Sequence, residues 1–124
     1  MPCQAELCTS RPIKDIIELP LNLTDPATSV RALVDSAFHA LGRVPLVACE
    51  ATYMMTAVAM VRAGLGVTIL PGSAREIRAE RGLKSRPIDD PAFVRAVSIV
   101  RKRNRTLPPA ALTFLPVCIA AMSV

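Results

Sequence analysis

Few residues of this 124-residue chain could do covalent or acid–base chemistry. His39 is the only imidazole, and it falls on the polar side of a predicted helix, whereas a general base must converge on a nucleophile inside a cleft. No Gly-x-Ser-x-Gly elbow occurs, so a hydrolase triad has no foundation. Gly64-Leu65-Gly66 invites comparison with a dinucleotide fingerprint, but position 69 is Ile instead of Gly and the glycines follow a helix instead of a strand. Cys3, Cys8, Cys49 and Cys118 form neither a C-x2-C pair nor a dense secreted framework, and with one histidine no zinc site is expected. The expectation is a protein that is not an enzyme and carries no cofactor or metal.

Binding chemistry is better supplied. Hydroxyls gather at two places, Thr24, Thr28 and Ser29, then Thr52 and Tyr53, and each cluster precedes a predicted helix. Free N–H groups and the positive dipole end of a helix favour a carboxylate or another small polar group there, by about 0.3–2 kcal/mol per dipole contact. Ser and Thr are also the ordinary N-cap residues, so the same pattern suits a plain helix start.

The elements that must position these groups follow from hydrophobic periodicity. Residues 19–23 (LPLNL) read as a strand and Thr24-Asp25-Pro26 as a turn. Val30, Leu33, Val34, Ala37, Phe38 and Leu41 lie on one helical face, with Arg31, Asp35 and His39 opposite, able to pair through water, and Gly42 as the stop. Residues 44–48 read as a second strand. Residues 52–63 read as a helix apolar nearly all round and therefore buried, capped by Gly64. Residues 67–70 read as a strand covered on both faces, ended by Pro71-Gly72. The β-α-β-α-β order with short joints predicts an α/β fold, a small parallel sheet flanked by helices. Ser73 with Glu76 suggests a capping box for a helix over 73–81, followed by extended segments at 83–88 and 95–100. A helix starts near Pro108-Pro109 and should be kinked or ended by Pro116.

Composition bounds the rest. With 52% hydrophobic and 20% charged residues the chain can build one core, while 3% aromatics leave little for stacking on bases or sugars. Net charge is +5, and it is uneven: residues 1–60 sum to −2 and residues 61–124 to +7. The basic run Arg101-Lys102-Arg103-Asn104-Arg105 has no helix-turn-helix pattern and no interleaved aromatics, so it reads as a solvated strand end. The start of the chain has no unbroken apolar run, and the longest one, residues 110–122, contains Pro116 and is too short to span a bilayer, so a reducing cytoplasm is expected.

The stretch VRAGLGVTILP at 61–71, with Gly82-Leu83 and Arg86-Pro87-Ile88 after it, resembles the effector-binding domain of LysR-type transcriptional regulators. Glu18-Leu19-Pro20-Leu21 with Arg31-Ala32-Leu33-Val34-Asp35, and residues 101–105 followed by Leu107-Pro108-Pro109-Ala110-Ala111, are similar to the same family. The resemblance implies one lobe of a type II periplasmic-binding-protein-like domain. It divides the chain into an unmatched segment at 1–10, the second lobe at 11–106, and a helical segment at 107–124 that returns to a first lobe. It also implies that the DNA-binding helix-turn-helix lies outside this chain, that a small anionic effector is bound, and that the apolar tail helix favours a homo-oligomer. The ligand contacts carry over onto Thr28, Ser29 and Val30, and onto Thr52 and Tyr53. The same residues are open to other readings, a stand-alone lobe of a solute-binding-type protein or a non-functional regulator remnant.

Overall fold

The computed structural model describes residues 12–123. Segment 1–10, with Cys3 and Cys8, lies outside the described residues. The order of the sheet-forming part is β1 (Leu21–Thr24), α1 (Ser29–Ala40), β2 (Val47–Ala51) and α2 (Met54–Arg62), then a short α3 (Glu76–Ala79) and a terminal α4 (Pro109–Met122). β1 and β2 pair in parallel, Leu21 with Val47, Asn22 with Cys49, Leu23 with Glu50 and Thr24 with Ala51. On its other side β1 meets Val67: Asn22 N–H donates to the Val67 carbonyl at 2.8 Å and Val67 N–H to the Pro20 carbonyl at 3.0 Å. β1 is therefore the central strand, and the parallel α/β arrangement expected from the sequence is present.

Burial follows the pleat. Leu21 and Leu23 point to one face, where they join Ile13, Val34, Ala37 and Phe38 in the core. Val34, Ala37 and Phe38 belong to the apolar stripe read from α1, so the periodicity of 3.6 located the core face correctly. Asn22 and Thr24 share the opposite face, where α2 packs on β1 and buries Ala57 and Val58. Gly64 adopts the left-handed conformation expected after α2, with φ of 81°.

Several expectations need correction. The second strand runs over Val47–Ala51 instead of 44–48, because Pro45 offers no N–H to a ladder and the pairing follows β1 to its end at Thr24. α2 starts at Met54, after Thr52 and Tyr53, and it is not buried all round: only Ala57 and Val58 are enclosed, and Met55 is exposed. Residues 67–70 are half-buried and contribute a single bridge to Leu21 instead of a doubly covered strand. The predicted capping box does not form. α3 is four residues long with Arg75 at its N-cap and no capping side chain, since Ser73 is taken up in the turn that Ala74 N–H closes on the Pro71 carbonyl at 2.9 Å. No strand forms at 83–88 or 95–100 among the described residues, and residues 94–100 are exposed. α4 continues through Pro116, with Pro109 at its first turn, where a missing N–H costs nothing.

Candidate functional site

Two strand-to-helix joints lie side by side because Thr24 and Ala51, the last residues of β1 and β2, are paired neighbours. The first joint is built by its own hydroxyls. Asp25 Oδ1 accepts from Ala27 N–H at 2.8 Å, which tightens the turn through Pro26. Thr28 is the N-cap of α1: its Oγ1 accepts from Arg31 N–H at 3.2 Å and donates to the Asp25 carbonyl at 2.8 Å. Since a hydroxyl has one proton, the 2.8 Å bond between Thr24 Oγ1 and Thr28 Oγ1 has Thr24 as donor. The Thr28 hydroxyl is fully engaged in holding the turn.

Ser29 differs. It is exposed at the first position of α1, and its Oγ accepts from Arg95 Nη1 at 3.1 Å, a contact across 66 residues of sequence. No acidic residue stands in the first turn of α1, so a guanidinium and a helix N-terminus meet with no carboxylate from that turn between them. Val30 is 6% exposed and packs inward, which leaves its backbone N–H as its polar contribution.

Arg31 ties the two joints together. Its side chain is 11% exposed, its Nε donates to Asp35 Oδ1 at 3.0 Å, and its Nη1 donates to the Thr24 carbonyl at 3.2 Å and to Glu50 Oε1 at 2.9 Å. Burial alone would lower its proton affinity, but the hydrogen bonds it donates to Glu50 and Asp35 and their negative charges outweigh it and raise the guanidinium above the ordinary arginine value. The pairing of Arg31 with Asp35 is thus direct instead of through water, and exposed His39 lies outside it.

At the second joint Thr52 and Tyr53 are both exposed; Tyr53 is the N-cap of α2 through its backbone, with no capping hydrogen bond from its side chain. The five residues read from the sequence therefore fall on adjacent joints, with Thr28 and Val30 committed to the fold and Ser29, Thr52 and Tyr53 open. Sequence reasoning missed Arg95, because no local pattern signals a contact 66 residues away, and missed Glu50 as the partner of Arg31. The Arg31 and Asp35 spacing was the visible half of that link. Among the described residues no group of His, Cys, Asp and Glu could hold a metal ion, and no helix is long and apolar enough to cross a membrane.

Comparison with known proteins decides the family. Residues 3–123 match the family model of the LysR substrate binding domain. The chain belongs to that family. Two curated relatives are similar over a shorter stretch: the transcriptional dual regulator GltC of Bacillus subtilis (strain 168), 37% identical over 73 residues that make up 59% of this chain and 24% of that protein; and the uncharacterized HTH-type transcriptional regulator YbhD of Escherichia coli (strain K12), 31% identical over 70 residues, 56% of this chain and 22% of that protein. The chain thus spans about a quarter of the length of the curated relatives it matches. No solved structure matches it. In this LysR substrate-binding domain the two joints are the carboxyl ends of parallel strands, where ligands of open α/β sheets bind.

Proposed function

We propose that this chain is the effector-sensing part of a LysR-type transcriptional regulator and that it binds a small anionic metabolite at the N-terminus of α1. The observation that carries the reading is the Arg95 guanidinium donating to Ser29 Oγ beside the first N–H groups of a helix with no acid in its first turn. A carboxylate there would gain a charge-assisted hydrogen bond from Arg95, one from the Ser29 hydroxyl, and the backbone N–H groups of Ser29 and Val30. Thr28 holds that turn in place, and Thr52 and Tyr53 supply exposed polar groups from the neighbouring joint. The role is binding without catalysis, with transcription controlled through a helix-turn-helix outside this chain, in the cytoplasm and in a homo-oligomer.

The domain division accompanies this proposal. Residues 11–106 form the second lobe, and the segment at 107–124 returns to a first lobe. Exposed Leu112, Phe114, Val117 and Ile119 on α4 support the reading, since a soluble protein does not leave so much apolar helix uncovered.

The experiment is a thermal-shift screen of the chain against small mono- and dicarboxylates and their neutral amides. A carboxylate at about 100 times its Kd should raise stability by about 2.7 kcal/mol. Ser29→Ala and Arg95→Gln should each reduce the shift without lowering the melting temperature of the free protein. Shifts from the amides alone, or carboxylate shifts indifferent to both substitutions, would refute the anionic site.

A further inference from the structure

The densest run of like charge in the sequence, four cations among residues 101–105, includes none of the residues of the two strand-to-helix joints. Arg101, Lys102, Arg103 and Arg105 are all exposed, and among the described residues none of the four makes an ion pair or a hydrogen bond. The sequence places no Asp or Glu after Asp90, so nothing on the surrounding stretch of chain neutralises them. These residues are not a strand end, as the sequence suggested. Arg103 and Asn104 form a turn in which Asn104 takes φ of 60°, the left-handed conformation that asparagine tolerates better than most residues. The turn folds the run back on itself, and Arg101, Lys102, Arg103, Asn104, Arg105 and Thr106 line an open concavity of about 570 Å³.

Like charges held around a concavity repel one another and raise the local positive potential, which an incoming polyanion relieves. Arginine forks match phosphate oxygens bidentately, and a lysine adds a point charge. The absence of interleaved aromatics disfavours stacking on bases, so the contact would be with phosphate oxygens and indifferent to sequence. We propose that the loop at 101–106 is a phosphate-binding cradle for the backbone of a nucleic acid or for a free polyphosphate. Such a contact would be separate from any helix-turn-helix and from the effector site, and it would add salt-dependent affinity without reading bases.

The test uses the chain itself with two probes. A fluorescent duplex DNA of arbitrary sequence is titrated by anisotropy from about 50 to about 200 mM KCl, and inorganic tripolyphosphate is titrated by calorimetry. Each phosphate neutralised contributes a slope of about −0.9 in log K against log salt, so a variant with Arg101, Lys102, Arg103 and Arg105 all changed to Gln should lose a slope of up to about 3.6 and bind at least tenfold more weakly at low salt. Because all four side chains are exposed, its thermal melt should match the wild type. A variant with Arg75, Arg78 and Arg81 changed to Gln removes three cations elsewhere and serves as the control. DNA binding lost in the loop variant and kept in the control supports the cradle with nucleic acid as its source. Tripolyphosphate binding lost in the loop variant, with no DNA binding, supports it with free polyphosphate as its source. Binding of neither probe at low salt, or an equal loss in both variants, overturns the proposal.

Discussion

Asn22 provides the sharpest test of how this fold is packed. It lies in the central strand with its side chain fully buried, and among the described residues neither Nδ2 nor Oδ1 has a hydrogen-bond partner. Its backbone is satisfied, through Val67 on one side and through Thr68 Oγ1, which donates to the Asn22 carbonyl at 2.6 Å. An unpaired buried polar group costs about 1–3 kcal/mol, and asparagine is also disfavoured in strands. Leucine has the same number of side-chain heavy atoms and the same branch point, so Asn22→Leu removes the unpaired amide while keeping most of the shape. The expected gain is about 1–3 kcal/mol. For a chain of this size that corresponds to a rise of roughly 4–12 °C in melting temperature. Urea unfolding followed by far-UV circular dichroism measures it, with an unchanged m-value to show that the two unfolding transitions are comparable. An Asn22→Leu protein less stable than the wild type would refute the reasoning, because it would mean the amide makes a stabilising hydrogen bond in the folded protein. Asn22→Asp, which puts an ionisable group in the same place, should be strongly destabilised in either case.

Two further perturbations follow from the same structure. Gly66 has φ of 129°, and a Cβ there would run into the Pro20 carbonyl that accepts from Val67, so Gly66→Ala should cost about 2–5 kcal/mol in unfolding free energy from strain and overpacking together. Gly64→Ala, where an added Cβ meets no atom within 4 Å, should cost only about 1 kcal/mol, and equal losses at the two sites would count against the clash. Arg31→Met should cost about 1–3 kcal/mol, less than a fully buried pair, because Asp35 and Glu50 are half-exposed and can be rehydrated. Since the folded value of Arg31 is raised, the stability it contributes is complete below the ordinary arginine value and fades only as pH climbs past the folded one. The arginine proton therefore adds no pH dependence between about pH 6 and about pH 9. Urea melts at both ends of that range would expose any departure.

How far the sequence could be read depended on the range of the interactions involved. α1 was visible because its apolar stripe and its Thr28 cap are local facts, and both appear where periodicity and capping chemistry put them. Gly64 was visible for the same reason. β2 was misplaced by three residues because strand limits are set by the partner strand, and the alignment of Ala51 with Thr24 is not written in residues 44–51 alone. The failed capping box at Ser73 and Glu76 had the right residue types but lost to the turn closed by Ala74. Pro116 illustrates the opposite error: proline disfavours a helix interior, yet the apolar segment around it stays helical. At the candidate site the hydroxyls were legible from their types, whereas Arg95 reaching Ser29 and Glu50 reaching Arg31 depend on how the chain returns.

The bond from Arg31 to Glu50 bears on how the two joints could be exchanged between members of the family. One guanidinium is fixed to the end of β1, to α1 and to β2, so the loops after the two strands form one mechanical part. Transplanting the loop after β1 together with the first turn of α1 from another family member would carry a new residue at position 29 but would leave Glu50 facing whatever replaced Arg31. A graft that also takes the end of β2, so that Glu50 moves with Arg31, keeps the part intact. Chimeras exchanging one joint alone should therefore be less stable than either parent, and chimeras exchanging both should recover.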